Sequence, residues 1–416
     1  MRVRGNVLVG EAGGPTAVID SSLYGLLKEA KNHREIEGIF GALHGIDGIL
    51  KGRIIDLRKE DDRTLRALCW TPGAALGGCR THLKSDDSHD PDVKRILTFL
   101  KKNRIRFFFY IGGNDSMDTA WKIETAAKKV GYELTVLGIP KTVDNDLALT
   151  HHSPGYGSAA KYLAASVREA GLHSEAMQGA EPLTILVTVG RNTGWLAGSC
   201  ALARVKDSDA PHLVYFPEIP LIREKLLADV ERVYRRLRRV FIVTGEGLKD
   251  EKGNYITANC DRVSKDGFGH AELGGVADWM KQVFERELKL RTRVIRPDIC
   301  QQSAAHFASL IDREEAILVG HMAVRYAVDG RSGSMVTLSA PLGERYGSTT
   351  GLAPLFAVAN KERKVQKEWI NGEGNFPRIN LVDYVRPLIR GEVKVPFKDG
   401  LPTFARLKKI PARYQG

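Results

Sequence analysis

The chain has 416 residues, enough for two domains with separate cores. It is 43% hydrophobic and 27% charged, ordinary for a globular protein, and no apolar run approaches the ~18–20 residues of a membrane span. The net charge of +12 admits an anionic ligand, but the basic residues are dispersed, as in Arg232–Arg239 and Lys361–Lys367, both read as solvated helix faces. No recognition-helix, zinc-finger or aromatic RNA-binding pattern accompanies them, so nucleic acid is not expected. The cysteines, Cys69, Cys79, Cys200, Cys260 and Cys300, are odd in number and lack a Cys-x-x-Cys, which favours reduced thiols. The first residues read as a strand rather than a signal peptide, so a cytoplasmic protein is expected.

In chain order, Val7–Val9 is a strand core that runs into Gly10-Glu-Ala-Gly-Gly-Pro-Thr16 and a helix over Ala17–Ala30. Strand, glycine turn and helix form an anion-binding arrangement, because backbone N–H groups at a helix start can approach phosphate. Neither the dinucleotide Gly-x-Gly-x-x-Gly spacing nor a Walker-type Gly-Lys-Ser/Thr is present. After strands at Ile36–Phe40 and Arg53–Leu57 comes Pro72-Gly-Ala-Ala-Leu-Gly-Gly-Cys-Arg80, a glycine-rich loop whose arginine suits a phosphate clamp. Asp86–Asp92 is carboxylate-rich but reads as a solvated loop capping a helix over Pro91–Lys102.

Ile105–Ile111 is a buried strand that delivers Gly112-Gly-Asn-Asp-Ser116 to a helix over Met117–Val130, with Ser116 as its expected cap. The apolar run Leu134–Ile139 then leads into Pro140-Lys-Thr-Val-Asp-Asn-Asp146. Six residues there hold a lysine, a hydroxyl and two carboxylates, at the strand end where open α/β sheets bind ligands. The plainer alternative is a polar turn in which Asp144 or Asn145 caps a helix. Further strands are read at Leu183–Val189, His212–Phe216 and Val240–Thr244, with helices from Tyr156 to about Ala170 and over Leu221–Arg238, Ala271–Leu290 and Glu314–Val328. Such βα alternation implies parallel sheets with right-handed crossovers.

Together these loops resemble the phosphofructokinase family, and its pyrophosphate-dependent branch in particular. The resemblance rests on Gly13–Ile19, Leu76–Arg80, Gly112–Ser116, Pro140–Asp146, Gly190-Arg-Asn-Thr-Gly-Trp195, Glu246 and Gln301-Gln-Ser303, in order from residue 7 to about 330. It implies an α/β fold of two similar doubly wound domains, mainly parallel, with the active site in the cleft between them. The donor domain is expected over residues 1–155 and 301–345, and the acceptor domain over 156–300 and 346–416. A homodimer or homotetramer and a Mg²⁺ cofactor are implied as well.

By the same resemblance, Asp144 is the base and Asp146 its partner, with Lys141 and Thr142 beside them. Gly13, Gly14, Arg80, Gly113, Asp115, Ser116 and Lys141 would hold pyrophosphate. Asp115 and Asn114 would face the metal, although the family usually has an aspartate at Asn114. Asp144, Gly190, Arg191, Glu246, Arg293 and Gln302 would hold the acceptor. Asp115 and Lys141 stand where the ATP-using branch has glycines, so pyrophosphate is the expected donor. Asp20 stands where related chains have asparagine, and no role is assigned to it.

The acceptor expectation follows from charge. The positions that hold the sugar phosphate in fructose 6-phosphate enzymes fall at Pro182, Ile299 and Gln302, and only Arg293 stays basic. Each lost contact is worth roughly 1.5–3 kcal/mol. The expected acceptor is therefore an unphosphorylated cyclitol such as myo-inositol. Fructose 6-phosphate is the alternative, and a non-catalytic paralogue a second one.

Overall fold

A computed structural model describes residues 3–256, 275–339 and 346–412. Two sheets form the frame. The first has seven strands: β1 (Gly5–Glu11), β2 (Ile36–Ala42), β3 (Ile54–Asp56), β4 (Ile105–Gly112), β5 (Thr135–Pro140), β10 (Ser334–Leu338) and β11 (Thr350–Pro354). Their order is β11-β10-β5-β4-β1-β2-β3, parallel except at the edges, where β3 and β11 run antiparallel to their neighbours. The second sheet has four parallel strands in the order β7-β8-β6-β9: β6 (Leu183–Thr188), β7 (Leu213–Tyr215), β8 (Val240–Gly245) and β9 (Thr292–Ile295).

Continuous apolar runs specify the central strands. Val7–Val9 and Phe107–Phe109 are buried on alternating faces, as strands covered on both sides require. Leu8 and Phe108 pack with α2 (Pro91–Lys102) and α3 (Asn114–Lys129) on one face. Val7, Val9, Phe107 and Phe109 pack with α1 (Ile19–Ala30) and α7 (Leu310–Val328) on the other. The second sheet lies between α4 (Tyr156–Ala176) on one side and α5 (Arg223–Leu237) with α6 (Val276–Glu287) on the other.

Several local expectations change. The N-cap of α3 is Gly113, so Asn114, Asp115 and Ser116 all lie in its first turn and Ser116 is not the cap. The Asp90 carboxylate accepts from the Asp92 and Val93 N–H groups and caps α2. No helix begins at Asp144 or Asn145; the next starts at Tyr156, behind Gly155. Residues 361–366 are extended rather than helical, because Arg363 turns inward to serve backbone carbonyls. Cys69, Cys79, Cys200 and Cys300 are free, and Cys260 lies outside the described residues. No helix among the described residues is long and apolar enough to cross a membrane.

The segment after residue 346, expected wholly in the second domain, divides between the two. β11 is an edge strand of the first sheet. Val365, Ile370, Leu381, Val385 and Leu388 then pack on the second sheet. Finally the Asp56 N–H donates to Ile410 O and the Ala412 N–H to Ile54 O, returning the chain to the first sheet.

Candidate active site between the two sheets

The carboxyl ends of β1, β4 and β5 face those of β6 and β8 across one cleft, the place where parallel α/β sheets bind ligands. The main chamber measures about 590 Å³ and opens into a recess of about 260 Å³. The chamber brings together Gly13, Gly14, Arg80, Gly113, Asn114, Asp115, Ser116, Lys141, Thr142, Asp144, Asp146, Arg191 and Glu246. The recess shares Gly14, Arg80, Lys141, Thr142, Asp144 and Glu246 with it and adds Thr16, Val143, Val189 and Gln302. Gly190 lines neither space, although its backbone lies near enough to help hold the Glu246 carboxylate down.

On the first-sheet side, Lys141 is buried and its Nζ donates to Gly14 O at 2.8 Å, tying the β5 loop to the glycine turn after β1. The Gly13 N–H donates to Cys79 O at 2.9 Å, which docks the 72–80 loop against the same turn. Gly78 is required there: a Cβ on it would lie 2.7 Å from Gly13 O. Burial lowers the Lys141 ammonium to about 8, against the opposing pull of Asp144, Glu11 and Asp146.

On the same loop, burial and the Glu246 carboxylate from across the cleft push Asp144 up to about 6, while Arg191 and Lys141 hold it down. Burial and Asp144 push Asp146 up to about 7, and burial takes Glu246 to about 7. Three carboxylates that titrate near neutrality, beside two cations, are an acid–base site in a desolvated cleft. The Asp144 backbone is pinned at both ends, by its N–H to Thr142 Oγ1 at 3.1 Å and by Thr193 Oγ1 to its carbonyl at 3.1 Å.

The residues fit a magnesium ion. Asn114 Nδ2 donates to Asp146 Oδ2 at 2.8 Å, leaving Asn114 Oδ1 and Asp146 Oδ1 buried without a partner. Two such oxygens beside Asp115 suit a hard cation. Among the described residues, no group of three or more His, Cys, Asp or Glu converges on a metal position, so phosphate and water oxygens would complete its shell.

Sequence reasoning missed the tail. Asn360, Glu362 and Lys364 line the chamber. Asn360 Nδ2 donates to Asp118 Oδ1 at 3.0 Å, and Asn192 Nδ2 to Glu362 Oε1 at 2.8 Å. Between them, the Arg363 N–H donates to Asp146 O at 2.7 Å. Its guanidinium donates to the carbonyls of Asn145 (3.1 and 3.3 Å), Thr150 (3.2 Å) and His151, and lies 4.5 Å from the centre of the Trp195 ring. A Lys-Glu-Arg-Lys run looks like surface charge; nothing local marks it as a clamp on a loop made over two hundred residues earlier.

Residues 6–327 match the family model described as Phosphofructokinase. The chain belongs to the phosphofructokinase family. Its curated relatives place it in the pyrophosphate-dependent branch. It is 37% identical over 406 residues to the pyrophosphate–fructose 6-phosphate 1-phosphotransferase of Halomonas elongata, covering 97% of this chain and 96% of that one. To the enzyme of the same name from Xanthomonas campestris it is 39% identical over 408 residues, covering 98% and 97%. It also superposes on the crystal structure of pyrophosphate-dependent phosphofructokinase from Marinobacter aquaeolei with a TM-score of 0.88 at 35% identity, covering 98% and 97% of the two chains.

These relatives overturn the cyclitol expectation, since they are named for fructose 6-phosphate and match almost end to end. The geometry supplies the reason. Pro182 precedes β6 at the end remote from the cleft. Arg293 pairs with Thr184 across the sheet, four residues or about 13 Å from the cleft end of β6, and is held by Glu181. Ile299 is 74% exposed. Of the four positions only Gln302 lines the cleft within its own chain.

Proposed function

We propose that this chain transfers a phosphoryl group from pyrophosphate to the 1-hydroxyl of fructose 6-phosphate. The observation that carries this reading is the convergence, in one desolvated cleft, of a cationic cradle with a carboxylate poised near neutrality. Lys141, Arg80 and the glycine-turn amides form the cradle, and Asp144 faces it between Arg191 and Glu246. The names of the relatives support both substrates.

In this reading Asp144 takes the proton of the attacking hydroxyl as its oxygen bonds to phosphorus. The bridging P–O bond breaks, and orthophosphate leaves against Arg80 and Lys141. Glu246, Arg191 and Gln302 orient the sugar. Asn114, Asp115 and Asp146 would hold Mg²⁺, which when bound neutralises pyrophosphate charge. Asp115 also fills the space and adds the negative charge that would repel a nucleotide's α-phosphate, so ATP is excluded as donor. A cytoplasmic homo-oligomer belongs to the same reading.

The test is steady-state kinetics of the purified protein with Mg²⁺. Fructose 1,6-bisphosphate and orthophosphate should form from pyrophosphate and fructose 6-phosphate, with no turnover on ATP. Turnover with ATP alone, or a higher kcat/KM for a neutral polyol, would overturn the reading.

A further inference from the structure

Glu11 and Asp20 are both 0% exposed, directly behind the donor cradle. Glu11 ends β1, two residues before Gly13, and Asp20 lies in the first turn of α1. Each gives one oxygen to the same loop. The Leu76 N–H donates to Glu11 Oε2 and the Ala75 N–H to Asp20 Oδ1, both at 2.8 Å. Each carboxyl group also lies in the field of the other. Their remaining oxygens, Glu11 Oε1 and Asp20 Oδ2, are buried and find no N–H or other donor. An ionised carboxylate only accepts, so neither of these oxygens can satisfy the other unless one of the pair carries a proton. Without it, two charges would face each other in a low-dielectric interior.

The other charged groups facing the pair are Lys141 toward Glu11 and Lys409 toward Asp20, and the Cys69 thiol also faces Asp20. Lys141 commits its Nζ to Gly14 O. Burial, then the Asp20 carboxylate, push Glu11 well above the usual carboxylate range.

We propose that Glu11 and Asp20 share one proton and act as positioning residues, holding the 72–80 loop so that Arg80 meets pyrophosphate. The proposal rests on pyrophosphate being the donor. The loop leaves Thr16, which accepts from the Gly73 N–H at 3.1 Å, passes over the acid pair at Ala75 and Leu76, and ends on the glycine turn at Cys79. Glu11 and Asp20 thus grip it midway, four to five residues before Arg80. Asparagine at position 20 would accept from Ala75 in the same way and donate its amide hydrogens to Glu11, so it keeps the grip without a titratable proton.

The test compares Asp20→Asn and Asp20→Ala with the wild type. Infrared spectra at pH 8 should contain the carbonyl stretch of a protonated buried carboxylic acid, lost in Asp20→Asn and also in Glu11→Gln. In kinetics, Asp20→Ala should raise KM for pyrophosphate about tenfold, the scale of one lost hydrogen bond, with kcat and KM for the sugar little changed. Asp20→Asn should restore KM toward the wild-type value. A wild-type spectrum without that band, an Asp20→Asn variant as impaired as Asp20→Ala, or an unchanged KM in Asp20→Ala would each overturn the proposal. The band decides the shared proton even if Asp20→Ala does not fold, and even if the wild type fails to use pyrophosphate. That last failure would count against the functional reading instead.

Discussion

Replacing Arg363 with methionine tests whether the tail clamps the catalytic loop. Methionine keeps most of the length and apolar bulk and removes every donor. The guanidinium serves three carbonyls, those of Asn145, Thr150 and His151, and the Tyr384 hydroxyl at 3.0 Å. At about 1–1.5 kcal/mol for each carbonyl, the loss is about 3–4.5 kcal/mol. Loss of stacking on Trp195, where the guanidinium lies 4.5 Å from the ring centre, adds about 1 kcal/mol. Arg363→Met should therefore lower Tm by several degrees, and a loop displaced by an ångström should cost about 10²-fold in kcat. Lysine should rescue poorly, because a point charge cannot span the carbonyls that a planar fork does. Differential scanning calorimetry and steady-state kinetics measure the two effects. An Arg363→Met protein with native Tm and native kcat would refute the clamp.

Asp144→Asn keeps the shape of the side chain and removes its ability to accept a proton. It should lower kcat by about 10²–10⁴ with little change in KM, and near-native kcat would remove Asp144 from the role of base. Because burial and Glu246 raise Asp144 to about 6, kcat/KM should fall as pH drops through about 6; a flat profile from pH 5 to 8 would contradict this. Stability runs the other way. A carboxyl whose folded value lies above its unfolded one stabilises the fold at low pH and loses that contribution as pH rises through the folded value. For Asp146, raised from 3.8 to about 7, the loss spans that interval, so Asp146→Asn should raise Tm at pH 8 and the gain should vanish near pH 4. A lower Tm at pH 8 would show that the Asn114 hydrogen bond outweighs the burial of charge.

The parts of this protein that were legible in its sequence are those whose cause is local. The runs Val7–Val9 and Phe107–Phe109 could only be strands covered on both faces, and the polar loops that follow them mark the cleft. The 72–80 loop stood out by its glycines and arginine, whereas Glu246 came only from the family resemblance. What was not legible depends on chain returning from far away. Ser116 has the chemistry of a cap, yet Gly113 takes that position because the backbone must approach the site. Arg363 has the neighbours of a surface residue, and its partners are carbonyls of residues 145–151. Arg293, Pro182 and Ile299 were assigned to the acceptor site through the family resemblance, by their distance from its motifs. Spacing could not reveal that the first two lie at the far end of a parallel strand, or that the third faces solvent.

The position of β10 has a consequence during synthesis. β5, whose loop carries Lys141 and Asp144, has β4 on one side and β10 on the other. β4 precedes it directly, but β10 is made roughly 190 residues later. At about 5–20 residues per second, the newborn chain spends on the order of 10–40 s with one edge of β5 open. That edge is apolar, with Val136, Leu137 and Ile139 all destined for 0% exposure, and nothing protects it from pairing with another chain. While the second sheet is being translated, the strand that carries the site is therefore a liability of the nascent chain, and a ribosome-bound chaperone would have reason to engage there.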